Sequence, residues 1–265
     1  MLHPKSGQNK HNEFDAEFEA IKPALLSYFY RLAANREDAE DLLHDTYLKS
    51  REKIDGFRAE GTFKSWVFTI GTRLAIDHKR VKNRWPENAQ DRCKSAATEN
   101  EQLARRMVNA FENQTEQRFD IAEHIHYCFT CLAKNLELNK QLVLVLKEVY
   151  QFKVREIAQI VGLTQGVVKH VLLQGRRELQ TKYENRCALI NKNGVCYQCA
   201  ELNNYFEKSR NAEVKIGQLG FLKNGDSQAN FKKRMSIIQK INPINGNGAL
   251  LEDTILQILR ESIGD

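Results

Sequence analysis

An all-α fold is what this sequence predicts, on three observations. Apolar residues recur at three- and four-residue steps through most of the chain, and glycine (14) and proline (4) are scarce among its 265 residues. The stretch from Val154 to Tyr183 also spells out two short helices separated by a turn. The chain is long enough for two small domains, each with its own core. No apolar run reaches bilayer length, and Met1 to Asn12 contains no apolar segment of the signal-peptide kind, so a cytoplasmic protein with no membrane partner is expected. A formal charge of +6 suits a polyanionic partner without establishing one.

In chain order, the first helix is predicted from Phe14, Phe18, Ile21, Leu25, Leu26, Phe29 and Leu32. A break at Asn35-Arg36-Glu37-Asp38 precedes a second helix carrying Ala39, Leu42, Leu43, Thr46, Tyr47 and Ser50, whose acidic first turn suits the positive end of its dipole. After a polar break from Gly56 to Thr62, a third helix is expected over Phe63 to Arg80. Here aromatic rings (Phe57, Phe63, Trp66, Phe68) are interleaved with bases (Arg58, Lys64, Arg73, His78, Lys79, Arg80). That mixture suits stacking of unpaired bases beside a phosphate track, although Phe63, Trp66 and Ile70 read equally well as core. Residues 14–85 form the first module.

Residues 86–120 open with a polar, charge-mixed run read as a linker, with a short helix from Leu103 to Arg118 and an incidental Cys93. The second module, 121–186, begins with packing helices at Ile121–Leu132 and Gln141–Tyr150. Ile157, Ala158 and Val161 then share one helix face, Gly162-Leu163 breaks the helix, and Thr164 caps the next. With Val168, Leu172, Gly175 and Leu179 facing inward, Lys169, His170, Leu173, Gln174, Arg176 and Arg177 are left outside. That is where a recognition helix meets a major groove. A plain helical hairpin with a basic solvated face is the alternative.

His124, Cys128 and Cys131 fall on one helix face, and Cys187 precedes Cys196-Tyr197-Gln198-Cys199. Cys128, Cys131, Cys196 and Cys199 could converge on a structural zinc, with Cys187 or His124 as substitutes. Reversible thiol chemistry and simple packing remain open beside it. Residues 187–265 form a C-terminal extension with helical spacing at Phe231, Met235, Ile238 and Ile241 and again from Leu250 to Leu259. These stripes need a surface to cover, either within the chain or on a regulatory partner.

Asp38-Ala39-Glu40-Asp41-Leu42, the run Phe57 to Ile70, and Ala75-Ile76-Asp77-His78-Lys79-Arg80 resemble region 2 of bacterial extracytoplasmic-function sigma factors of the sigma-70 family. The helix-turn-helix resembles region 4 of the same family. Departures occur at Arg73, where asparagine is common, and at Val171 and Gln174, where arginine is common.

The resemblance implies a promoter-specificity subunit that is not an enzyme and requires no cofactor. Its partners would be RNA polymerase core enzyme, promoter DNA and, as a further candidate, an anti-sigma factor. Asp38, Asp41, Leu42 and Asp45 would dock on core. Phe57, Arg58, Trp66, Arg73, Asp77, Lys79 and Arg80 would hold the −10 element. Gly166, Lys169, His170, Leu173, Gln174, Arg176 and Arg177 would meet the −35 element. The alternative is a helix-turn-helix regulator that binds duplex DNA without polymerase, responding to zinc or redox state through its cysteines.

Overall fold

Helix α1 (Gly7–Ala33) and helix α2 (Arg36–Glu52) form a hairpin across a two-residue turn. Ala34 turns the chain at φ 54°, and the Asn35 side chain caps α2 by accepting the Asp38 N–H at 2.8 Å. The computed structural model describes residues 7–57, 61–112, 121–187, 220, 226–246 and 248–265. Among them there is no β-strand, and no helix is long and apolar enough to cross a membrane.

Helix α3 (Phe63–Asp77) starts at Thr62, whose hydroxyl accepts the Ser65 N–H, and packs on the α1–α2 hairpin. It stops short of the predicted Arg80. His78 is extended, and a one-turn helix α4 (Lys79–Lys82) follows. The break is stabilised by the Asp38 carboxylate, which takes His78 at 3.5 Å and Arg80 at 3.2 Å.

The stretch read as a polar linker is helical, as α5 (Ala89–Glu99) and α6 (Glu101–Glu112), with Asn100 capping the second. Its few small apolar side chains suffice because a remote partner covers them. Ala89 and Cys93 are buried where α5 meets the final helix, α12 (Ala249–Ile263). Cys93 is therefore a packed core residue rather than an incidental thiol.

In the second module, α7 (Ile121–Lys134) and α8 (Leu138–Leu144) precede a π-wound turn at Val145–Val149, so the apolar run predicted as one helix changes winding halfway. Helix α9 (Val154–Val161) ends at Gly162, which takes the left-handed conformation at φ 71° that an L side chain resists. Thr164 accepts the Val167 N–H and opens α10 (Gln165–Arg186). Val168, Leu172, Gly175 and Leu179 are all buried, as their spacing predicts. A Cβ on Gly175 would stand 2.9 Å from Leu144, so glycine there sets the close approach of α10 to α8. Helix α11 (Ser227–Ile238) packs on α7 and α10.

The two modules and the extension share one core. Every residue from Ser27 to Ala34 is buried, although helical spacing predicts only one inner face for α1. A helix covered on all sides has neighbours on all sides. Here they are α2 and α3 of its own module, Tyr150 of the second, and Ile241 and Arg260 of the extension.

Candidate nucleic-acid interface

The outer face of α10 is open. Gly166, Lys169, His170, Gln174 and Arg177 are exposed, and Leu173 is 48% exposed in spite of being apolar. Arg176, expected beside them, is half-buried and held by Glu148, with Nε 2.7 Å from Oε1. An arginine already bound to a carboxylate is less available to a phosphate.

The aromatic and basic groups of the first module divide into two sets. Phe57, Phe63 and Trp66 form a half-buried cluster, with Phe57 5.0 Å from Trp66 and 5.9 Å from Phe63 between ring centroids. Phe57 is thus partly committed to packing, while Arg58 lies outside the described residues. Arg73 and Asp77 are exposed on the side of α3 away from Val67, Phe68 and Thr72, and Lys79 is exposed at the start of α4. Lys64 stands over the Phe152 ring at 5.1 Å and is drawn toward the second module.

On α2, Asp41 and Asp45 are exposed. Leu42, expected on the same docking surface, is only 3% exposed and belongs to the core of the hairpin. That corrects its reading: the leucine faces inward because its four-residue step continues the apolar stripe to Thr46. Asp38 and Arg80, assigned to different partners, are paired with each other.

The described cysteines are deep in the structure. Cys131 is buried, Cys128 and Cys187 are half-buried, and burial pushes the Cys131 thiol far above its ordinary pKa. His124 is buried too, and desolvation lowers its pKa to about 4, so it is a neutral imidazole at pH 7. Cys128, Cys131 and Cys187 all lie near the buried Tyr183 hydroxyl. Among the described residues, no three His, Cys, Asp or Glu side chains gather closely enough to hold a metal. Cys196 and Cys199 lie outside the described residues.

The sigma-70 region 2 family model matches residues 18–85, the segment that forms α1 to α4. SigG of Mycobacterium tuberculosis, an ECF RNA polymerase sigma factor, is 26% identical over 181 residues, 65% of this chain and 49% of that protein. SigW of Bacillus subtilis, also an ECF RNA polymerase sigma factor, is 25% identical over 185 residues, 68% of this chain and 95% of that protein. The first module thus matches region 2 of the sigma-70 family, and over about two thirds of its length the chain is similar to extracytoplasmic-function RNA polymerase sigma factors. It spans about half the length of the SigG relatives. The co-crystal structure of the sigma factor RpoE with the anti-sigma factor NepR from Bartonella quintana is a distant match, with TM-score 0.44 and 19% identity over 64% of this chain and 96% of that one.

The residues that join the parts of this chain were not foreseen from its sequence. Arg31, 2% exposed, donates to the Ser27 carbonyl at 3.1 Å, the Tyr150 hydroxyl at 2.8 Å and the Ile241 carbonyl at 2.9 Å. Lys134 is buried and donates to the Arg80 carbonyl. One signal was present: Ser27 to Ala34 has no polar face wide enough to meet water, which marks a helix segment enclosed on all sides.

Proposed function

We propose that this chain is a promoter-specificity subunit, without catalysis of its own, that directs bacterial RNA polymerase to −35 and −10 elements and assists strand opening in the cytoplasm. The observation that carries the reading is the α10 surface, where Lys169, His170, Leu173, Gln174 and Arg177 are exposed over a buried inner face, directly after a glycine-turned α9. Lys169 and Arg177 supply phosphate contacts, and His170 and Gln174 read base edges. Leu173 and Gly166 allow close approach to the groove. Arg73, Asp77 and Lys79, together with Arg58 and Trp66, receive the displaced strand of the −10 element. Phe57 and Arg80 serve that site from the positions that pack and pair it, and Arg176 adds a phosphate contact when Glu148 releases it. The acidic edge of α2, led by Asp41 and Asp45 and backed by Asp38, docks on polymerase core. An anti-sigma factor is the remaining partner class.

This reading and the regulator alternative differ in one requirement. Sequence-selective binding by this chain should need core polymerase, which electrophoretic mobility with and without core on a matched promoter duplex measures. Equally tight, selective binding by the isolated chain would favour a conventional regulator.

A structural zinc on Cys128, Cys131, Cys196 and Cys199 has little support in its described half. Cys131 is buried, and among the described residues no three His, Cys, Asp or Glu side chains gather closely enough to hold a metal. Metal analysis of the reduced chain tests it: one zinc per chain supports the site, and none removes it.

A further inference from the structure

We propose that the C-terminal extension is an internal latch that holds the two modules in a closed arrangement unable to span a promoter. This rests on the sigma reading above. In the structure α3 packs against α9, and the rings of Tyr150 and Phe152, just before α9, lie 5.6 and 5.0 Å from Phe68 of α3. The −35 and −10 elements are about 25 base pairs apart, on the order of 85 Å at 3.4 Å per step. Helix α10 is 22 residues long, so roughly 33 Å. Even with two interhelix spacings of about 10 Å added, the distance from α3 to the far end of α10 falls well short of that span. The modules must separate before both elements can be held, and separation breaks the Tyr150–Phe152 seam.

The extension bridges that seam. Arg31 of the first module binds Tyr150 of the second and the Ile241 carbonyl of the extension with the two ends of one guanidinium group. Gln239 donates to the Glu148 carbonyl and accepts from Gln151, fixing the turn that carries both rings. On the other side, Arg260 donates to the Ala34 carbonyl, and Asp265 accepts from Asn83 at 2.8 Å and Trp85 at 2.7 Å. The extension also binds the second module deep in the core, where Glu252 meets His126 at 2.9 Å. Among the described residues, the non-glycine positions with positive φ are Ala34 (54°) and Gln151 (57°), and both lie where the extension makes contact. A conformation that L side chains rarely adopt is held at each of them by the surrounding structure.

The test compares the full chain with two variants. Asp265→Ala combined with Gln239→Ala removes latch bonds from residues that are not buried, and Tyr150→Phe removes the hydroxyl bonds but keeps the ring. Small-angle scattering reads the shape, circular dichroism reads the helix content, and transcription with core polymerase on a matched promoter reads the activity. A parent chain of 265 residues closed as one body has a radius of gyration of about 18 Å. The expected result is a variant radius larger by several ångströms at unchanged helix content, with several-fold more transcript at limiting chain concentration. Expansion with no core-dependent transcript from parent or variants supports the latch and overturns the sigma reading instead. Variants that scatter as the parent does, or a parent already in two separated bodies, overturn the latch.

Discussion

Lys134 shows at a single residue how tightly the parts are joined. Its ammonium is buried, bonded to the Arg80 carbonyl and 5.7 Å from the Trp85 ring centroid. Burial first, then the Arg84 and Arg260 guanidinium groups, lower its pKa from 10.5 to about 7, while Asp265 and Asp38 oppose the shift. Between about pH 7 and 10.5 the unfolded chain therefore holds a proton that the folded chain has released, so this group makes stability rise with pH across that window. The slope is at most about 1.4 kcal/mol per pH unit. Urea denaturation at several pH values should show the rise, and Lys134→Met should flatten it. An equal slope in the variant would contradict the burial of a titrating ammonium. Ala34 makes a second residue-scale case. Its left-handed backbone costs about 1–2 kcal/mol, and glycine avoids this while losing about 0.5–1 kcal/mol of entropy on folding. Ala34→Gly should raise the melting temperature modestly, whereas a lower value would mean that the alanine methyl group matters more than the strain.

The α9–α10 pair was the most legible of the elements, because its determinants are local. A glycine at the turn, a threonine cap and a four-residue apolar step all lie within a few residues of what they specify. Thr164→Ala should cost about 1 kcal/mol by freeing the Val167 N–H. Gly175→Ala should cost about 1–3 kcal/mol, because its methyl group meets Leu144. Thermal unfolding measures both, and a neutral Gly175→Ala would show that α8 and α10 are not so close in solution. Helix α5 was illegible for the opposite reason: what covers Ala89 and Cys93 is α12, more than 150 positions away. Helix α3 was placed correctly at its start, where Thr62 caps it. It was overrun at its end, where a distant Asp38 takes His78 and Arg80. In the candidate site, exposure on α10 followed from periodicity alone. The burial of Leu42 was also written in its spacing, as part of the apolar stripe of α2, whereas the loss of Arg176 to Glu148 depended on a tertiary partner that no spacing reveals.

For the whole molecule, the first module, the helix-turn-helix and the extension form one shared core around Ser27 to Ala34, although the sequence predicts a separate core for each of the two modules. Promoter affinity, in the sigma reading, comes mainly from cations outside that core, so it should weaken steeply with salt. Lys169→Ala should weaken holoenzyme binding to all promoter sequences alike and lower the salt slope by about one. A sequence-selective loss with an unchanged slope would instead make Lys169 a base reader. The central claim is that this chain gives polymerase a promoter preference it otherwise lacks. Core polymerase transcribing a randomised promoter library, with and without the chain, tests it most directly. The reading predicts chain-dependent transcripts whose templates share two elements spaced as −35 and −10 sites, and active core that yields no chain-dependent enrichment would contradict it.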